Sequence, residues 1–425
     1  MNPKTAYRLA RLKLNSIVSP FSNLAKRIIP TEIKDRSVLL LKSYIERANL
    51  KHPSAIIVYT NNILISKLKV LDGGEAISCC RYINLPKSIK LSIDPETFKY
   101  PEIFLYEDEV RVFGGSNLVL KGDKLISDPL IDFRNTILAE EFKKLVQFDS
   151  EYKKVKISYY ERKIKLDRAV VFLNGASFNY AHWITEVLPK IVIWSRDHLV
   201  SDATLIIDKQ LPNTILESID FVFKNAKIIK LERNHSLNIK KCFWYSEVCY
   251  IPFHPRINSS VMESATINQK AMLLLKEVVL KKIRYKNDRN YPKKIFIKRK
   301  SLLRSINNEK HIISILKKYG YECIDPEDFS FAEQVEIFSQ AESVIAASGA
   351  AIANMIFAQK GASILIFMVD HPSTPFHYWT RLLSPLGINV SYLFNAPTDC
   401  TDFHSSFSVS SSLLIDYLRN NSTEN

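Results

Sequence analysis

The sequence predicts an α/β protein whose N-terminal portion is β-rich. Three observations predict it. From about residue 165 onward, short apolar strands alternate with segments of helical spacing, the pattern of a mainly parallel sheet. Residues 55–126 instead read as strands and tight turns. The 46% hydrophobic content of a 425-residue chain is enough to fill the cores of about two domains.

Residues 1–54 are expected to form a basic N-terminal segment. Residues 1–52 hold eleven Lys or Arg against three Asp or Glu, about half of the chain's net charge of +15. Arg8, Arg11, Lys13, Lys26 and Arg27 are interleaved with Leu9, Leu12, Leu14, Val18, Phe21, Leu24 and Ile28, interrupted at Pro20. This loosely amphipathic pattern reads either as attachment to an anionic membrane surface through residues 1–30 or as an ordinary helix with a solvated basic face. No apolar core follows the charged start, so no signal peptide is expected. No stretch reaches the ~18 apolar residues of a transmembrane helix.

Residues 55–285 are expected to form one domain. Ser54–Ser66 carries an Ile/Val/Tyr run. Glu109–Phe113, the turn Gly114–Asn117 and Leu118–Lys121 predict a hairpin, with a second turn at Lys121–Asp123. Strands are predicted at Ala169–Leu173, Ala203–Asp208, Lys227–Leu231 and Cys242–Tyr245, with helical spacing over Asn179–Ser195 and 260–283. A break is expected at Pro252–Pro255, and the polar run Lys286–Lys293 marks the start of a second domain, 286–425.

In that second domain, strands are predicted at Lys294–Lys298, Tyr321–Ile324, Ser343–Ala347, Ser363–Val369 and Asn389–Phe394. Helices are predicted at Asn308–Tyr319, Ser330–Gln340, Ala350–Ala358, Phe376–Leu386 and Ser410–Arg419. Ser330 and Glu333 form a capping-box pattern. Repeated β-α units with short connections predict a doubly wound sheet.

Cys79, Cys80, Cys242, Cys249, Cys323 and Cys400 have no C-x-x-C spacing. Buried free thiols in a reducing, cytoplasmic compartment are the expectation. No strand is followed by G-x-G-x-x-G, which argues against a dinucleotide-dependent dehydrogenase. The basic charge calls for acidic partners, but no recognition helix or aromatic-basic sheet motif points to nucleic acid.

Three segments carry the chemistry. Ser343–Ala347 ends in Ser348, Gly349 and Ala350, and a helix begins at once, running through Asn354. A helix N-terminus beyond a strand's carboxyl end offers backbone N–H groups to phosphate. The same arrangement also serves as a tight turn with no ligand. Lys298-Arg299-Lys300, followed by Arg304, lies past the first strand of the same domain, and Arg pairs bidentately with phosphate. Alone, such a cluster reads equally as a solvated loop. His182 and Glu186, in Tyr180-Ala-His-Trp-Ile-Thr-Glu, are four apart and share one helix face. A His oriented by a carboxylate is a candidate general base, or a His packed at an interface. No third ligand accompanies the pair, so no metal site is assigned.

In order, these segments resemble the glycosyltransferase family 61 type, the group of capsular polysaccharide biosynthesis proteins. The residues that carry the resemblance are Tyr180-Ala-His182-Trp183 with Glu186 and Leu188-Pro189; Arg299, Arg304, Asn308 and Glu309; Phe331-Ala-Glu333-Gln334 with Phe338; and Gly349 through Asn354 to Phe357. The likeness covers roughly residues 100–395. Ser348 stands where the family's loop most often has His, and the strand after Gly361 lacks a Glu that many members have.

The resemblance implies two Rossmann-like domains facing a cleft, of GT-B type. It implies an inverting transfer from a nucleoside diphosphate sugar, often a UDP-sugar, without an essential metal or other cofactor. His182 and Glu186 are then the catalytic candidates. Arg299, Arg304, Ser348, Gly349, Ala350 and Asn354 are the donor-binding candidates. The acceptor is expected to be a glycan or lipid-linked glycan at the inner face of the plasma membrane. The alternative is a non-catalytic protein that binds sugar nucleotides or scaffolds a polysaccharide assembly complex.

Overall fold

The computed structural model describes residues 50–425 except 90, 92–94, 129–144, 149–153, 197–202, 252–264, 284–289, 300–302, 375, 400–402 and 423–425. The expected N-terminal helix at 5–29, the Pro252–Pro255 break, Lys300, Cys400 and the first half of the 286–293 run lie outside the described residues. His52–Asn425 form one compact unit.

The unit is mixed α/β and contains two main sheets. The first is curled and mixed, with the strand order 146–148, 154–157, 54–59, 124–127, 119–121, 103–113, 235–245, 159–172, 204–208, 228–231. Both predicted hairpin turns form: Ile103–Phe113 pairs antiparallel with Val119–Lys121, which pairs antiparallel with Lys124–Ser127. The expected parallel run also forms, with Tyr159–Phe172 beside Thr204–Asp208, and Thr204–Asp208 beside Ile228–Leu231. Tyr159–Phe172 and His235–Tyr245 are far longer than the apolar cores predicted for them. Their polar flanks extend the strands along half-exposed sheet, and irregularities between Glu161 and Lys165 and between Ile239 and Cys242 re-aim the pairing.

The second sheet is parallel, in the order Glu322–Ile324, Lys294–Ile297, Ser343–Ala347, Ser363–Val369, Asn389–Asn395. Numbered by sequence within this sheet, that is 2-1-3-4-5, the order of a doubly wound sheet with its switch point between the first and third strands. Period-two alternation supplies two apolar faces. Phe296, Ile345, Leu365 and Phe367 pack with Ile312 and Leu316 of the Glu309–Lys318 helix and Leu414 and Leu418 of the C-terminal helix. Ile295, Val344, Ile364 and Ile366 pack on the other face with Phe331, Val335 and Phe338. The same core takes in Val170, Phe172, Leu205 and Ile207 of the first sheet. Each fully buried side chain of this kind contributes about 1.5–3 kcal/mol. Arg81–Tyr82 adds a short parallel edge strand beside Ser391 and Tyr392, which sequence reading did not predict.

Helices fall close to their predicted places. Ser330 caps Phe331–Gln340 through the predicted reciprocal bonds with Glu333. The helix expected over 260–283 is described from Gln269 to Ile283, after a short strand at Thr266–Ile267. The Asn268 side chain accepts the Ala271 N–H at 2.9 Å, which starts the helix there. Ala350–Phe357 is a 3-10 helix rather than an α-helix. Of the described cysteines, Cys242 and Cys249 are buried, but Cys79 and Cys323 are exposed, which corrects the expectation of uniformly buried thiols; these four and Cys80 are unbridged.

Candidate active site

The register of the second sheet sets the first half of the site. Ile297 lies opposite Ala346 on neighbouring parallel strands, so Arg299 and Ser348 leave the sheet at the same height, on either side of the switch point. The Arg299 guanidinium reaches across and donates to the Ser348 carbonyl. Burial lowers its pKa from the usual value, opposed by the Glu327 carboxylate. Gly349 is extended, and a Cβ there would run into the Arg299 guanidinium. Glycine therefore serves close approach here rather than an unusual backbone angle. The Ser348 hydroxyl is buried and accepts a hydrogen bond from Trp379 Nε1 at 3.1 Å, which turns its own proton elsewhere. Ala350 opens the 3-10 helix beside it.

Asn354 is fully buried. Its oxygen accepts from the Tyr180 hydroxyl at 2.7 Å and its amide donates to Gln334 at 2.8 Å. Gln334 in turn donates to the Pro326 carbonyl at 2.8 Å. Asn354 thus ties the loop to the helix that carries His182. Arg304 has a left-handed backbone (φ 55°), and its N–H donates to the His404 carbonyl at 2.8 Å. Residues 300–302, which connect it to Arg299, lie outside the described residues.

The second half of the site begins where Tyr159–Phe172 ends. Asn179 caps the next helix by accepting the Ala181 N–H at 3.0 Å. The helix is α over Tyr180–His182, π over Trp183–Val187 and α again over Leu188–Arg196. Such single π turns recur at functional sites. His182 Nδ1 lies 2.9 Å from Glu186 Oε1. Glu186 is buried and also accepts from Asn174 Nδ2 at 3.0 Å and the Ile251 N–H at 3.0 Å. Three donors fix that carboxylate. With Nδ1–H donating to Glu186, the basic lone pair of the imidazole is at Nε2.

Sequence reading missed the charges behind this pair. Asp208, at the end of its strand, accepts from the Gly115 N–H at 2.5 Å, the Asn174 N–H at 3.1 Å and Ser177 Oγ at 2.6 Å. Asn174 therefore bridges Asp208 to Glu186. Burial pushes Asp208 up to about 6, against those donors and Arg233. Glu247 is buried against Lys190 Nζ at 2.7 Å and Asn117 Nδ2 at 2.9 Å, and burial pushes it up to about 7 despite Lys190. The only local cue for Asn174 was its place in the small loop after the strand. Asp208 and Glu247 gave none, because their partners are distant in sequence. Among the described residues no group of three or more His, Cys, Asp or Glu is assembled for a metal.

Asp208 gives a pH prediction. Its folded pKa lies above the ordinary value of 3.8, so its contribution to stability is full below about pH 4 and lost as pH rises through about 6. Urea unfolding from pH 4 to 7 should show this decline in the wild type. Asp208→Asn should be less stable by roughly 1–3 kcal/mol, since an amide cannot accept from every donor, and should show a shallower decline, the remainder coming from Glu247, whose pKa burial also raises. An unchanged pH slope in the variant would assign the slope to other groups.

Compared with known families, residues 180–365 match the model described as Glycosyltransferase 61. No curated protein matches the chain.

Proposed function

We propose that this chain, a glycosyltransferase carrying a glycosyltransferase 61 domain over residues 180–365, inverts the anomeric centre as it moves a sugar from a nucleoside diphosphate sugar to a glycan acceptor. The observation that carries the reading is the convergence of Arg299, Ser348 and Gly349 at the switch point, tied through Asn354 and Tyr180 to the helix bearing His182. In this reading the two sheets are the cores of two Rossmann-like, GT-B-type halves that meet near residue 286, with the donor on the second. As the glycosidic bond breaks, negative charge builds on the leaving diphosphate. Arg299, Arg304, the Ser348 hydroxyl and the backbone N–H groups of Gly349 and Ala350 stabilise it. This does the work that a metal ion does in other transferases. His182 Nε2 takes the acceptor proton, and Glu186 holds the imidazole and stabilises its charged form. Asn354 acts by positioning the loop.

A thermal-shift panel of UDP, GDP, CMP, ADP and NAD tests the donor assignment. A nucleotide at about 100 times its Kd adds about 2.7 kcal/mol to stability. A selective rise with UDP, or with another nucleoside diphosphate, is expected. A rise with NAD alone would sink the reading.

The product is proposed to be a capsular or other surface polysaccharide, made in the cytoplasm at the inner face of the plasma membrane, with the basic residues 1–30 on anionic lipid. In vesicle flotation, the full chain should rise with phosphatidylserine vesicles and a chain lacking residues 1–30 should not. Equal flotation would remove the N-terminal anchor.

A further inference from the structure

A groove of about 990 Å³ opens at the opposite edge of the second sheet. Its walls include Lys294, Ser343, Ser363 and Asn389, the first residues of four parallel strands. Arg299 and Ser348 lie beyond the other ends of these strands. A strand such as Ser363–Val369 is roughly 20 Å long, so the groove is separate from the candidate active site. Its volume is at the upper end of the about 300–1,000 Å³ usual for ligand sites.

The lining has two features. The first is charge. Arg81, Lys294 and Lys360 line the groove, and none of them forms an ion pair among the described residues. The single carboxylate among the described lining residues, Glu342, is paired with Lys293 Nζ at 2.6 Å. Three uncompensated cations therefore face one cavity, which calls for an anion. The second feature is hydroxyl density. Tyr321 Oη and Ser343 Oγ are 2.6 Å apart, and Ser363 Oγ donates to Ser343 Oγ at 3.2 Å. Each hydroxyl has one proton and two lone pairs, so this ladder keeps acceptor capacity toward the groove. Ser391, Tyr417 and Asn421 continue the polar wall. The stem of Lys360 runs close over Gly387, where a Cβ would strike it.

We propose that this groove binds an anionic saccharide, a glycan segment bearing carboxylate or phosphate groups, at a site remote from transfer. The cations neutralise its charge and the hydroxyl ladder pairs with its hydroxyls. The saccharide identity rests on the transferase reading above; the cationic groove itself does not. Such a site keeps a growing chain on the enzyme between turnovers through added effective concentration.

Calorimetric titration of the full chain with an oligogalacturonate tests this, with neutral oligogalactoside and inorganic polyphosphate as comparisons. The wild type should bind oligogalacturonate in a salt-sensitive way and the neutral sugar at least about tenfold more weakly. Arg81→Ser with Lys360→Ser should weaken oligogalacturonate binding by roughly tenfold or more, with the melting temperature and the UDP-induced shift unchanged. Equal binding by the double variant, or none by the wild type, overturns the site. Polyphosphate binding as tightly as oligogalacturonate overturns the saccharide part, and equal binding of neutral sugar overturns the anionic part. Loss of the UDP shift in the wild type would count against the donor reading alone, since that arm reports on the other edge of the sheet.

Discussion

His182→Ala should lower kcat by about 10²- to 10⁴-fold, the usual worth of a positioned general base. The His182 side chain is 13% exposed and the Glu186 side chain 3% exposed, so the imidazole is the member of the pair that an acceptor hydroxyl can approach. The substitution leaves Glu186 with its bonds from Asn174 and Ile251, so the fold and the UDP-induced thermal shift should hold. The acidic limb of the pH–rate profile, where the imidazole is protonated, should vanish in the variant. Glu186→Gln is the companion. It keeps the shape, but sets an amide N–H against a site built for donors and disturbs the tautomer, so kcat should fall while donor affinity stays. Full turnover by folded His182→Ala would move the base elsewhere.

Arg299→Ala should cost about 10²- to 10³-fold in kcat/KM, the scale of losing one preorganised donor to a developing anion. It should also abolish the nucleoside diphosphate shift. Arg299→Lys should recover part of the loss, because it keeps the charge but not the planar fork. Gly349→Ala probes the same place without touching a charge. Its new methyl group displaces the guanidinium, so donor affinity should fall although no polar group is removed. If Arg299→Ala binds UDP as the wild type does, the diphosphate is not at this strand edge.

Much of the scaffold was legible in local spacing. The capping box at Ser330 and Glu333, the turns at Gly114–Asn117 and Lys121–Asp123, and the strand Ser363–Val369 all formed as read. The longer strands were not legible in full. Ala169–Phe172 is buried and apolar, whereas the preceding part of its strand is half-exposed and polar, so only the core segment gave a signal. The edge strand Arg81–Tyr82 was invisible because two residues carry no periodicity, and its partner lies three hundred residues away.

The sequence by itself determined the alternation of strands and helices, because each element is specified by the period of its own side chains and by caps a few residues away. It likewise determined that His182 meets Glu186, since helix geometry joins residues four apart. Only the tertiary structure decided that Arg299 lies on Ser348, that Tyr180 bonds Asn354, and that Asn174 bridges Asp208 to Glu186. Those contacts depend on sheet order and strand register. These are set by the packing of whole apolar faces, which no short stretch of sequence encodes.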